Sequence, residues 1–349
     1  MRPPRRCLLF LLAAVLCSAC GRAPDTYTLL GETQGTTYQV KVVLTAGGAG
    51  PEGSGRIAEV VGARLADVDK KLSTYRPDSE LSRFNAHADT TPFKVSPELL
   101  EVLEIARRVS EMSGGAFDLT VAPLVAAWGF GPGGRQQRQP AENELTALRE
   151  RVGYRHIEID RAASTLRKTR PDVVCDVNGV AQGYTVDKLA ADLDALGFAN
   201  YMVEVGGEVK VRGHNANGAP WRIGIEKPTP GVRAIGKVVP LTNRALSTSG
   251  DYRDFYEQAG VRVSHTVDPR TGRPVTHALA SASVIHQSCA MADALCTALM
   301  VLGPEEGLDF ALKHNLAARF VIHDGADGFF DKTTPAFDTI AGGAAEGRG

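Results

Sequence analysis

The run Cys289-Ala290-Met291-Ala292-Asp293-Ala294-Leu295-Cys296-Thr297-Ala298-Leu299 constrains this chain most tightly. It reads as one helix, stopped by Gly303-Pro304, and apart from Asp293 and Thr297 it is built of Ala, Leu, Met and Cys. Those two residues stand at i and i+4, so they share one helix face. A carboxylate on so apolar a helix is costly unless a cation or hydrogen-bond donors meet it. A hard cation such as Mg²⁺ suits a carboxylate, a hydroxyl and a carbonyl, and keeps further positions for water or phosphate. The plain alternative pairs Asp293 with a backbone amide and lets Thr297 bond back within its helix.

Three other stretches carry chemistry. Asp172-Val173-Val174-Cys175-Asp176-Val177-Asn178-Gly179-Val180-Ala181-Gln182-Gly183-Tyr184 reads as a buried strand entering a Gly-rich turn and then a helix. Backbone amides at such a helix start hold phosphate oxygens, and glycines let a ligand approach the main chain. An ordinary strand-to-helix turn fits the same pattern, which is neither a Walker loop nor a spaced GxGxxG. In Ser264-His265-Thr266-Val267-Asp268-Pro269, His265 is either a general base near neutral pH or a structural histidine at a strand end. Ser247-Thr248-Ser249-Gly250-Asp251-Tyr252 lacks the G-x-S-x-G elbow and reads as a hydroxyl-rich, ligand-lining turn.

Around these segments the pattern is that of a mixed globular protein. Tyr27 to Leu44 predicts two strands about the Gln34-Gly35 break, and helices are expected over 56–72, 97–112, 142–152, 184–196, 288–302 and 305–314. Strand signals over 156–160, 172–177, 201–205, 208–212, 221–226, 261–267 and 280–285 fill the second half, favouring α+β over a doubly wound parallel sheet. Residues 129–140, rich in Gly, Arg and Gln, read as a surface loop. The 349 residues, 43% hydrophobic, suffice for one large domain or two intimately packed halves. A formal net charge of −1 gives no basic footprint, which sets nucleic acid aside as a partner.

The N-terminus differs in kind. Arg2, Arg5 and Arg6 precede an apolar run from Cys7 to Ala19 that is too short for the roughly 20 residues of a membrane-spanning helix. This is a secretory signal, expected over 1–19. Leu16-Cys17-Ser18-Ala19-Cys20 is similar to a bacterial lipobox that makes Cys20 the lipidated first residue, although Cys17 is unusual there; a plainly cleaved signal is the alternative. Cys289 and Cys296 rise about 10.5 Å apart on one helix, too far for a disulfide, so these and Cys175 read as buried thiols.

Taken together, the blocks resemble one family. Ser73 to Asn85, Ser113-Gly114-Gly115-Ala116-Phe117-Asp118, Asp176 to Gly183, Val203-Glu204-Val205-Gly206-Gly207-Glu208, Leu246 to Asp251, Ser264 to Pro269 and Ala292 to Thr297 stand in the order found in ApbE-type flavin transferases. The resemblance runs from about Tyr27 to the C-terminal region. It implies a T-fold-like α+β architecture of mostly antiparallel sheets packed with helices. The implied layout is a tether over 20–26, a catalytic domain over 27–340 and a disordered tail over 341–349.

It also implies a reaction: Mg²⁺-dependent transfer of FMN from FAD to a Thr or Ser hydroxyl of an exported protein, with release of AMP. The ion's ligands would be the Ala181 carbonyl with Asp293 and Thr297. Tyr75, Ala116, Phe117, Asp118, Asn178, Tyr184 and His265 would line the FAD site, Tyr75 stacking on an aromatic ring of it and His265 deprotonating the acceptor. Family members often carry methionine before the first Gly-Thr, where this chain has Gln34, which exchanges an apolar flavin contact for an amide. The acceptor would be an FMN-binding domain or a redox-pump subunit, met in the periplasm by an enzyme lipid-anchored to a membrane of a bacterial cell envelope. Two other readings share these residues: an FAD pyrophosphatase yielding FMN and AMP, and a flavin-binding lipoprotein without catalysis.

Overall fold

The computed structural model describes residues 25–44, 51–130, 136–229, 231, 234–251, 255–258, 261–325 and 328–342. The expected signal, Cys20 and most of the tether lie outside them, as do residues 343–349 of the expected tail. The first strand already begins at Thr26, and the last helix, Pro335–Gly342, runs two residues into the segment expected to be a tail.

An eight-stranded sheet organises the molecule, and every neighbouring pair in it is antiparallel. Its order is Thr26–Thr33, Thr36–Val43, Tyr201–Val205, Glu208–Arg212, Arg244–Gly250, Leu279–His286, Ala317–Asp324 and Gly328–Thr333. The first hairpin is made by Gln34 and Gly35, both at positive φ (50° and 71°), the backbone that a two-residue turn needs to follow the twist of its strands.

Period-two alternation sends the two sides of the sheet into different cores. Val40, Val42, Val203 and Ala245 meet the helices Pro51–Leu72 and Asn178–Ala195 through Ile57, Val61, Leu189 and Leu193. Val43, Met202, Val209, Val211 and Leu246 face the other way, onto the ribbon Trp221–Glu226/Ile235–Leu241 and onto Phe337 of the last helix. The helix Cys289–Lys313 lies on the first side, against Pro97–Met112 and Asn178–Ala195, with Ala290 to Cys296 almost wholly buried. It breaks at Gly303 (φ 79°, ψ −172°), where a Cβ would sit 2.5 Å from the His277 ring. The architecture is α+β. Among the described residues no helix is long and apolar enough to cross a membrane.

Three expectations are corrected. Residues 172–177 form no strand: the side-chain amide of Asn85 takes the place of a neighbouring strand, accepting from the Cys175 amide and donating to its carbonyl, both at 2.8 Å. The Gly-rich segment 178–183 is no separate turn but the start of the helix, with Gly179 alone off helical geometry (φ −83°, ψ 17°). Residues 247–250 are strand rather than turn, since their backbone pairs with 281–284, where the Thr248 and Ser283 hydroxyls also bond at 2.8 Å. Cys175, Cys289 and Cys296 are free and buried.

Candidate functional site

The start of the 178–195 helix and the middle of the 289–313 helix meet face to face because two glycines remove the side chains between them. A Cβ on Gly179 would lie 3.1 Å from the Thr297 hydroxyl, and one on Gly183 would lie 2.5 Å from the Cys289 carbonyl oxygen. At that contact the Gly183 amide donates to Asp293 Oδ2 at 3.0 Å. Asp293 is 5% exposed, and burial pushes its carboxyl up to about 7 against the opposing pull of that amide.

This junction floors a cavity of about 710 Å³, within the range of about 300–1,000 Å³ typical of small-molecule sites. Of the residues expected from sequence, Tyr75, Ala116, Phe117, Asp118, Asn178, His265, Asp293 and Thr297 line it together. Tyr75 is 73% exposed at the rim, while Phe117 and Asp118 are buried. Asp118 also holds the wall: it accepts from the amides of Thr120 (2.8 Å) and Tyr154 (2.7 Å) and from the Thr120 hydroxyl (2.6 Å). Burial raises its carboxyl above the ordinary range, and those bonds draw it back. His265 faces the cavity beside Phe130, edge to face at 6.3 Å between ring centroids.

Three expected residues lie off the lining. Tyr184, next to the glycine that touches the 289–313 helix, is rotated toward the 97–112 helix, where its hydroxyl donates to Glu101 at 3.0 Å. Gln34 donates instead to the Thr185 hydroxyl at 2.7 Å. Ala181 belongs to the same helix start, and its carbonyl accepts from Thr185 at 2.7 Å. Phosphate binding by the turn is also curtailed. The amide of Asn178 donates to Asp176, those of Val180 and Ala181 to the Val177 carbonyl, and that of Gly183 to Asp293.

What sequence reasoning missed is the charge of the walls. Asp176, Glu204, Glu208 and Glu226 join Asp118 and Asp293, and among the described residues no Lys or Arg lines the cavity. Glu208 is buried, and its carboxyl is raised well above the ordinary range, by burial first and by Asp293 next. Among the described residues no three His, Cys, Asp or Glu side chains group as a metal nest. The cavity does bring the Asp293 carboxylate and the Thr297 hydroxyl to one lining, oxygen groups of the kind a hard cation takes.

The ApbE family model matches residues 34–320, a span that contains every residue of the cavity. The chain belongs to the ApbE family. A curated relative from Haemophilus influenzae, named FAD:protein FMN transferase, is 40% identical over 337 residues, covering 95% of this chain and 96% of that one. The flavin transferase ApbE from Vibrio cholerae superposes with a TM-score of 0.82 at 39% identity, over 91% of this chain and 99% of that one. The apo flavinyl transferase ApbE of Pseudomonas stutzeri gives 0.83 at 42% identity, over 91% and 98%. Identity at this level along nearly the whole chain carries the ApbE fold.

Proposed function

We propose that this chain is an FAD:protein FMN transferase that moves FMN from FAD to a Thr or Ser hydroxyl of an exported protein in a Mg²⁺-dependent reaction releasing AMP. The observation that carries the reading is an acid-walled cavity, without Lys or Arg among its described residues, in an ApbE-family chain. A diphosphate entering such a cavity meets like charge unless a divalent cation comes with it. The residues fit that cation: Asp293 is buried with a single described donor, Thr297 stands one turn on, and the helix start carrying Ala181 lies against both. Mg²⁺, when bound by Ala181, Asp293 and Thr297, supplies positive charge to offset that on the diphosphate.

The chain's own groups do the rest. Tyr75 at the rim and Phe117 in the wall offer aromatic surface for the flavin and adenine rings. A ring nitrogen of His265 takes the proton of the acceptor hydroxyl as that oxygen bonds to the phosphorus on the FMN side. The P–O bond to AMP breaks, and AMP leaves with the charge. Positioning provides most of the acceleration in such a transfer, which suits groups fixed on a sheet and two helices. The 1–24 segment supports export and anchoring through Cys20 to a membrane facing the periplasm.

Incubation with FAD, Mg²⁺ and a co-expressed FMN-binding domain tests the reading by mass spectrometry of the acceptor. Covalent FMN is expected; free FMN and AMP with an unmodified acceptor would leave a pyrophosphatase instead. Palmitate labelling that persists in Cys20→Ala would overturn the anchor.

A further inference from the structure

The motif Val203-Glu204-Val205-Gly206-Gly207-Glu208 has a carboxylate that the transfer chemistry above does not use. Glu208 opens its strand opposite Val205, directly after the hairpin turn Gly206-Gly207. That turn is fixed in two ways. The Glu204 side chain accepts from the Gly207 amide at 2.8 Å, and Gly206 abuts the Gln182 side chain so closely that a Cβ would lie 2.7 Å from its Oε1. The hairpin is thus anchored on the same helix start that carries Ala181 and Gly183.

Glu208 itself is 6% exposed and lines the cavity with Asp293 and Thr297. Its Oε1 receives one long bond from the Ser247 hydroxyl at 3.4 Å, and its Oε2 is buried with no hydrogen-bond partner among the described residues. Of the two cations on its own strand, Lys210 is turned to Asp187 at 2.6 Å and Arg212 pairs with Asp194. Two buried carboxylates, Glu208 and Asp293, therefore act on each other across one cavity that no Lys or Arg among the described residues lines. Such an arrangement is destabilising in the protein alone, and an apolar residue at 208 would relieve it.

We infer that Glu208 is a further carboxylate of the divalent-cation site, where its side chain accepts a hydrogen bond from a water on the ion held by Asp293. This rests on the Mg²⁺ reading above. Magnesium keeps several of its waters, and carboxylates around a metal centre commonly orient them. The assignment accounts for the unpartnered oxygen, for the missing basic residue and for a carboxylate where the sheet is otherwise covered. Glu208 is a positioning residue: it acts through the ion's water.

The test uses Mn²⁺ as the probe, titrated into the protein without FAD and followed by electron paramagnetic resonance, with thermal unfolding in parallel. Glu208→Gln keeps the shape and removes the charge. The expected result is about tenfold or greater weakening of Mn²⁺ binding, together with a higher melting temperature than wild type when no divalent ion is present and a lower one at saturating Mn²⁺. Glu208→Asp, which keeps the charge, should bind within a few-fold of wild type; should the Gln variant not fold, Glu208→Ala takes its place with the same weakening expected, and wild-type Mn²⁺ affinity there overturns the inference. Wild-type Mn²⁺ affinity in Glu208→Gln, with affinity lost in Asp293→Asn, would sink the Glu208 assignment and leave the metal reading standing. Undiminished affinity in Asp293→Asn would remove both. Unchanged Mn²⁺ binding with weakened binding of FMN would make Glu208 a ligand of the flavin's hydroxyls and overturn the inference.

Discussion

Replacing Gly183 with alanine probes the close approach on which the site is built. The added Cβ would sit 2.5 Å from the Cys289 carbonyl oxygen, 2.7 Å from its carbon and 2.8 Å from Asp293 Cβ. None of these is the yielding tip of a side chain. With ordinary contact beginning at 3.4 Å, the two helices must part by roughly 0.9 Å along that line. Overpacking a close-fitted core costs about 1–3 kcal/mol, and in a chain of this size each kcal/mol lowers Tm by about 1–2 °C. Turnover suffers more. The 3.0 Å bond from Gly183 to Asp293 is lost, and a misplacement of about 1 Å lowers rates on the order of 10²-fold. Calorimetric melting and the rate of covalent FMN incorporation into an acceptor separate the two effects. Gly62→Ala is the control: Gly62 is exposed on the 51–72 helix with nothing within 4 Å of a Cβ, so it should gain up to about 1 kcal/mol and leave turnover unchanged. A Gly183→Ala protein with wild-type melting and wild-type turnover would refute the close-approach reasoning.

Asp293→Ala should abolish metal-dependent turnover while the protein stays folded; wild-type rates at limiting Mg²⁺ would remove the ligand assignment. His265→Ala should still bind FAD, measured by flavin fluorescence, yet fail to label an acceptor, and loss of FAD binding would make it a binding group rather than the base. Tyr184→Phe breaks only the bond to Glu101 and should lower stability by about 0.5–1.5 kcal/mol without changing FAD affinity, whereas a large affinity loss would return Tyr184 to the flavin site. His286 makes one contribution to the pH dependence. Burial lowers its pKa from 6.5, and its Nδ1 accepts from the Ser288 amide at 3.0 Å. Below pH 6.5 the unfolded chain takes up a proton that the folded one resists, so the His286 contribution to stability falls on acidification, opposite in sign to that of the raised carboxyls of Asp293 and Glu208. Equilibrium urea unfolding between pH 7.5 and 5 should therefore show His286→Gln gaining stability relative to wild type as pH falls, and a difference that does not change with pH would exclude His286.

Local signals were the legible ones. The Gln34-Gly35 hairpin, the helix break at Gly303 and the shared face of Asp293 and Thr297 follow from glycine and from helical period, and the structure places each as the sequence implies. Glu208 was hidden because Glu208-Val209-Lys210-Val211-Arg212 alternates like a strand with one wet face. Val209 and Val211 do face the ribbon's core, but the polar side lies under helices, where Lys210 finds Asp187 and Glu208 is buried. Tyr184 lies off the lining because the resemblance gives a position in a motif, while the direction of its side chain is set by the packing of the 97–112 helix and Glu101. The strand expected at 172–177 failed through a long-range partner, Asn85, that no local pattern announces.

The cavity draws on chain from Tyr75 to Val301, and its floor closes only when the 289–313 helix settles on the sheet. A nascent chain still missing its last sixth therefore lacks Asp293 and Thr297 altogether. A protease cut that frees the C-terminal portion likewise takes both side chains out of the cavity. Catalytic competence here certifies a finished fold.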